Sequence, residues 1–208
     1  MRARSSNIAS RLTGPEGVDK LRGVMDRREQ ISGAMVRGHI EALRVRIGSS
    51  AYDEIFAQLS LEDREELMLV TPLSWVHIAA LERLYIPIAA RSDTTVESLH
   101  TEIASKVVGR AVTTIWKALL RFTSDQGLVT RAPLVFKRAY RQGKLEVMKA
   151  EPGHAILHVS SWPGMSEFAI RGFRVGIEST LRAAGRRDPK GTSHATPDGA
   201  VLELAWAR

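Results

Sequence analysis

The sequence predicts an α+β fold in which an N-terminal helical layer packs with a four-stranded antiparallel sheet and its flanking helices. Three observations predict it. From Met35 to about Gly127 the apolar residues recur at helical spacing. After Thr130 the period falls to two in paired stretches, one pair around Glu151-Pro152-Gly153-His154 and one around Pro197-Asp198-Gly199. A long amphipathic helix lies between the pairs, and the order helix, two strands, helix, two strands suits an antiparallel sheet with helices laid against it.

Residues 1–34 precede the pattern. They hold Ser5, Ser6, Asn7, Gly14, Pro15, Gly17, Gly23 and Gly33 with few large apolar side chains, too little to offset the entropy of ordering. A mobile basic arm is expected here, with a short helix near Asp19–Met25, followed by a single domain over 35–208. That domain divides into a helical part, 35–130, and a helix-hairpin-helix-hairpin part, 131–208.

In the helical part, Val36, Ile40, Leu43 and Ile47 form a first stripe that Gly48 stops, and Tyr52, Ile55, Phe56 and Leu59 form a second. Ser60 is placed to cap a short acidic helix through Glu62, Asp63 and Glu66, where negative charge suits the first turn. Trp75, Ile78, Leu81 and Tyr85 read as a helix ended by Pro87. Thr94 and Glu97 have capping-box spacing ahead of the stripe Val96, Leu99, Ile103 and Val107. Ile115, Leu119 and Phe122 make another helix, closed near Gly127.

In the second part, Pro133 opens a helix that ends near Tyr140, with Gly143 just past it. Strands are expected over Lys144–Ala150 and His154–Ser161. Unbroken pairing would put Met148, Ala150, Ala155, Leu157 and Val159 on one face, and Leu145, Val147, Ile156, His158 and Ser160 on the other. Both faces are partly apolar, so both are expected to be covered. A helix over Met165–Ala184 carries Ile170, Phe173, Ile177 and Leu181 on its buried stripe and Arg171, Arg174, Glu178 and Arg182 on its wet side. Gly172 and Gly176, one turn apart, permit close approach of a neighbour. A polar loop, Gly185–Lys190, leads to strands Thr192–Thr196 and Ala200–Trp206, with Leu202, Leu204 and Trp206 pointing one way.

Composition narrows the function classes. With 44 % apolar and 25 % charged residues the chain is neither fibrous nor wholly disordered. There are no cysteines, which removes disulfides, thiolate metal sites and a cysteine nucleophile. No apolar run approaches the roughly 20 residues of a membrane span. The first residues lack the apolar core of a secretory signal, so the cytoplasm is the expected compartment. Net charge is +7, and it is uneven: residues 1–50 carry ten Lys/Arg against five Asp/Glu, the rest of the chain twenty against eighteen. Arg2, Arg4, Arg11, Arg27 and Arg28 are therefore candidate contacts for an acidic partner or nucleic acid.

No catalytic or metal motif emerges. His39, His77 and His100 fall on separate expected helices, His100 as a surface or boundary residue. His154 and His158 are about 13 Å apart along one strand, too far to share an ion. Ser160 and Ser161 precede Pro163-Gly164, but His158 is the sole base in sequence reach, about 7 Å from Ser160. There is no Gly-x-Ser-x-Gly elbow, phosphate loop or dinucleotide fingerprint. No metal ligands, cofactor or catalytic residues are expected.

The C-terminal part carries a resemblance. Tyr140-Arg141-Gln142-Gly143-Lys144-Leu145-Glu146-Val147, then His158-Val159-Ser160-Ser161-Trp162-Pro163-Gly164, the helix Gly172–Leu181 and the ending Leu202-Glu203-Leu204-Ala205-Trp206 resemble the superfamily of haem nitric-oxide/oxygen-binding (H-NOX) domains, 4-vinyl-reductase-type ligand domains and TRAPP-type subunits. Within it the chain looks most like an uncharacterised myxobacterial paralogue family. The resemblance spans about residues 35–206 and implies an H-NOX/TRAPP-like fold. H-NOX domains hold haem through an axial histidine and a Tyr-x-Ser-x-Arg clamp. At the matching strand this chain has His158, Ser160 and Trp162, so only the serine persists. The axial position falls within Gly127–Arg131, which contains no histidine. Cysteine-based ligand or lipid attachment, known in the other branches, is excluded.

The resulting expectation is a non-enzymatic, haem-free sensor or protein-interaction scaffold, by resemblance a homo- or hetero-oligomer with a protein partner. Two alternatives stand beside it. One is a receptor for a small apolar ligand in a remodelled pocket formed by Val147, Ile156, His158, Ser160 and Trp162. The other is an accessory factor held to nucleic acid by the basic arm.

Overall fold

A computed structural model describes residues 29–111 and 123–207. The chain enters through a short strand, β1 (Gln30–Ser32), and passes into helices α1 (Gly33–Ile47), α2 (Ser49–Phe56) and α3 (Leu61–Met68). A second short strand, β2 (Trp75–His77), leads into α4 (Ile78–Arg91) and then α5 (Val96–Ala111). The second part begins with the short α6 (Asp125–Val129) and α7 (Ala132–Ala139). It continues with β3 (Lys144–Glu151), β4 (His154–Ser160), the long α8 (Glu167–Ala183), β5 (Arg187–Thr196) and β6 (Gly199–Ala207). The last four strands form the expected four-stranded antiparallel sheet, and their order is β3-β4-β6-β5.

Local chemistry accounts for most boundaries. Gly48 takes φ 85° after α1, and Ser60 accepts from the Asp63 N–H at the start of α3. Pro133 stands in the first turn of α7, and Ser166 caps α8 by accepting from Ala169 N–H. The hairpin turn holds Gly153 at φ 80°. The core lies between the helices and one face of the sheet, built from Leu157, Val159, Leu202 and Leu204 against Ile170, Phe173 and Leu181.

Several expectations are corrected. The helical part is not all helix, because β1 and β2 pair antiparallel through Gln30–His77, Ile31–Val76 and Ser32–Trp75. Three-residue strands are too short to leave a period in the sequence. Ordered structure also reaches back to Glu29, into the stretch assigned to the arm. Pro87 sits inside α4 without ending it, since Ile88 and Ala89 beyond it are buried in the core and hold the last turn. The cap of α5 is Thr95, which accepts from Ser98 N–H, not Thr94. On α8, Arg171, Arg174 and Glu178 are half-buried instead of wet, because β5 and α5 cover both flanks of the helix. Strand β5 starts at Arg187, inside the expected loop. The helix around Ile115, Leu119 and Phe122 and the arm residues Arg2, Arg4, Arg11, Arg27 and Arg28 lie outside the described residues.

A buried carboxylate organises the far end of the sheet. Asp125 accepts from Arg186 Nε at 2.8 Å, from Trp206 Nε1 at 3.1 Å and from Gly153 N at 3.1 Å. Burial pushes its pKa up, but the hydrogen bonds from Arg186, Trp206 and Gly153 outweigh that and hold it below the ordinary carboxylate value. Both ends of the Asp125–Arg186 pair are shielded, at 5 % and 10 % exposure, so removing one leaves a buried charge. Asp125→Ala is expected to cost about 3–5 kcal/mol in urea unfolding at neutral pH. Asp53→Ala, at the exposed pair with Arg44, should cost less than about 1 kcal/mol.

Candidate functional site

The polar groups sealed deepest in the molecule form one cluster. On α1, Val36, His39 and Leu43 share the buried side, so the imidazole enters the core beside apolar neighbours. On α5, His100 follows Leu99 on the face shared with Ile103, Ala104 and Val107. Tyr85 comes from the buried side of α4, Phe168 from the first turn of α8, and Tyr140 from the end of α7. His39 and His100 are each 2 % exposed and Tyr85 is fully buried.

His39 Nδ1 and the Tyr85 hydroxyl are 2.6 Å apart and share one proton. The His100 ring lies flat on Phe168, centroids 3.7 Å apart and planes within 5°. Tyr85 presents its edge to both His100 and Phe168, at 5.3 Å in each case. The two imidazoles are 5.8 Å apart, centroid to centroid. Gly172 makes this packing possible. A Cβ there would stand 3.1 Å from His100 Cε1, 3.3 Å from His100 Nε2 and 3.5 Å from the Tyr140 hydroxyl. The close approach expected at Gly172 is thus an approach to a histidine, and His100 is an interior residue, not the surface residue expected.

Between these groups lies a cavity of about 20 Å³, lined by Met35, His39, His100, Tyr140, Phe168 and Gly172 among others. It has the room of one water molecule. His100 Nδ1 has no hydrogen-bond partner among the described residues. Burial alone lowers the His39 pKa to about 4. Burial, with the nearby His39 and Arg171, lowers that of His100 to about 2. Burial also raises Tyr85 well above its ordinary value. The cluster is a neutral one at physiological pH. No group of three or more metal-ligating side chains occurs among the described residues.

The expected pocket is not assembled. A register shift between Val147 and Lys149 displaces the hairpin by one residue, so Val147 pairs with Leu157 and faces the core with Leu145 and Val159. Ile156, His158 and Ser160 point to the opposite side of the sheet, which is half-exposed. There His154 pairs with Glu203 at 2.9 Å and His158 with Asp198 at 3.5 Å. Only the face bearing Leu157 and Val159 is covered by described residues, not both. Trp162 lies beyond the strand with its ring in the core, edge-on to Phe136 and Tyr140, and its indole N–H donates to the Glu29 carboxylate at 2.8 Å. A one-residue bulge reverses side-chain direction, which strict alternation cannot anticipate. In the sequence His39 and Tyr85 leave only the signal of a histidine and a tyrosine set on helical apolar stripes, and that pattern alone reads as core.

No family model matches the chain, and no curated protein is similar to it in sequence. No match supports the finer likeness to a myxobacterial paralogue family. Solved structures do match. The Fe(II) unliganded H-NOX protein from K. algicida superposes with a TM-score of 0.65 at 12 % identity, over 85 % of this chain and 97 % of its own. An oxygen-binding H-NOX domain related to soluble guanylate cyclases gives 0.60 at 11 % identity, over 85 % and 95 %. An H-NOX protein from S. oneidensis in the Fe(II)NO state gives 0.59 at 12 %, over 85 % and 99 %. At these identities the likeness establishes an H-NOX-like α+β fold.

The side chains present do not fit a haem. Helix α6 and the two residues after it, where the resemblance puts an axial ligand, carry no imidazole, and Asp125 there is held by Arg186, Trp206 and Gly153. Of the interior imidazoles, His39 has its Nδ1 on the Tyr85 hydroxyl, and the His100 ring is stacked flat on Phe168. The cavity beside them is far below the several hundred Å³ of a cofactor pocket.

The buried histidines fix a pH dependence. Their folded-state pKa values lie below the unfolded value near 6.5, so above that pH neither state gains protons at these rings. Below it the unfolded chain takes protons that the fold refuses, and stability falls as pH drops from about 6.5 towards 4. The expected slope reaches about 1.4 kcal/mol per pH unit for each histidine. A His100→Leu variant should lose part of that slope in urea titrations between about pH 6.5 and 5.5, above the range in which ordinary carboxylates titrate.

Proposed function

We propose that this chain is a non-enzymatic sensor or protein-interaction module that uses an H-NOX-like scaffold without haem. The observation that carries the reading is the filled space between the helical layer and the sheet. Phe136, Tyr140, Trp162 and Phe173 meet there ring to ring at 5.0–6.3 Å, and Phe168 covers His100. What remains open is about 20 Å³. Aromatic side chains in such edge-on contact stabilise the core in their own right, so the volume a prosthetic group would take is already invested in packing. On this reading the domain acts through its surface. No helix among the described residues is long and apolar enough to cross a membrane.

The test is spectroscopic. Hemin titrated into the purified protein, followed by absorption, is expected to give only the broad band of surface-adsorbed porphyrin. A sharp, stoichiometric Soret band that His39→Leu or His100→Leu abolishes would overturn the haem-free reading.

A further inference from the structure

Two amphipathic helical faces of opposite charge are left open on this molecule. The first is on α3. Leu61 and the helix's C-cap, Leu69, are exposed, at 64 % and 74 %, and Glu62 and Glu65 are exposed with them. Leu61, Glu62, Glu65, Glu66, Leu69 and His77 line an open groove of about 560 Å³. The second is on α7. Arg131, Leu134, Val135 and Arg138 fall at i, i+3, i+4 and i+7, one face of a helix, and all four are exposed. Glu62, Glu65, Arg131 and Arg138 form no ion pair among the described residues. An apolar centre flanked by acids therefore has a counterpart of similar length, an apolar centre flanked by guanidinium groups.

Their placement is the second observation. Glu66 Oε1 accepts from His77 N at 2.7 Å and lies 2.8 Å from His77 Nδ1, which fixes the groove to the end of β2. His77 pairs with Gln30 of β1. On its other side Gln30 N donates to Gln142 Oε1 at 2.8 Å, and Arg141 NH1 donates to Gln30 Oε1 at 3.0 Å, just past α7. Gln30 thus links His77 at the rim of the acidic groove to Arg141 and Gln142, which directly follow the helix that carries the basic ridge. A strip that runs acidic, neutral, basic across a centre is self-complementary under a two-fold rotation, because each end meets the opposite end of the other copy.

We propose that the occupant of this groove is a second copy of the chain. In the two-fold dimer, the α3 groove of one protomer receives the α7 ridge of its partner, and the reverse contact forms at the same time. Leu134 and Val135 supply the apolar insertion between Leu61 and Leu69, while the arginines and glutamates around them set register and orientation. The proposal names a partner for the interaction module above and rests on its surface alone. Hemin binding would overturn the haem-free reading and leave the dimer standing.

Sedimentation of the full chain at an ionic strength of about 0.1 M, where the screening length is about 10 Å, decides the matter. The wild type is expected to move from monomer to dimer with concentration. Two variants, Glu62→Lys/Glu65→Lys and Arg131→Glu/Arg138→Glu, should each weaken self-association by about tenfold or more while keeping the wild-type circular dichroism spectrum. Mixed in equal amounts they should associate with each other, because both contacts in the mixed dimer again join opposite charges. A wild type that stays monomeric up to millimolar concentration overturns the proposal. So does a dimer indifferent to both reversals, or a mixture of well-folded variants that fails to associate.

Discussion

The two halves of this fold are held in register by one carboxylate. Glu29 is buried just ahead of β1, and its side chain accepts from the indole N–H of Trp162 and from Ser166 N, both at 2.8 Å. Its own carbonyl accepts from Ile78 N at the start of α4. A single residue thereby serves the N-termini of two helices that belong to different halves, α4 in the helical layer and α8 behind the sheet. The positive end of α8 favours an anion at that place, and the indole N–H is a donor that would be costly to bury unanswered. Because Trp162 is fixed there, the rings of Phe136 and Tyr140 have a wall to pack against, and the space between the halves closes around side chains.

Asp125 repeats the device at the opposite end of the sheet, where it takes the indole N–H of Trp206 together with Arg186 and Gly153. In both places a tryptophan brings large apolar area into the core while its polar edge is answered by a carboxylate from a distant element. The histidine cluster follows a different rule. His39 and His100 stay neutral, answered by a phenol and by an aromatic face, and Gly172 supplies the room that any side chain would have taken.

Much of this architecture was legible in the sequence, for physical reasons. Helices of eight or more residues announce themselves through stripes such as Leu99, Ile103 and Val107, and hairpins through period two around Pro152-Gly153 and Asp198-Gly199. The four-stranded antiparallel sheet and the close approach at Gly172 followed from those patterns. What escaped detection lacked a period. Strands β1 and β2 are three residues each. The shift after Val147 inverts which side chains face the core, so the predicted pocket dissolved into two faces of one sheet. Glu29 and Asp125 look like surface acids in the sequence, since their partners lie 133 and 81 positions away in Trp162 and Trp206. Long-range polar pairing leaves no local mark, and the buried histidine cluster escaped for the same reason.

The outer strands of the sheet carry a further consequence. Strand β3 is broken in register beside the exposed Met148 and Lys149, and β5 is broken between Arg187 and Lys190, with Asp188 at φ 47° and Pro189 in the gap. Proline withholds a donor, lysines repel a neighbour of their own kind, and each irregularity twists the free edge away from a straight ladder. A strand from another molecule would therefore meet an interruption at Met148 along one margin and at Pro189 along the other. Each rim thus carries a local device that disfavours extending the sheet edge to edge.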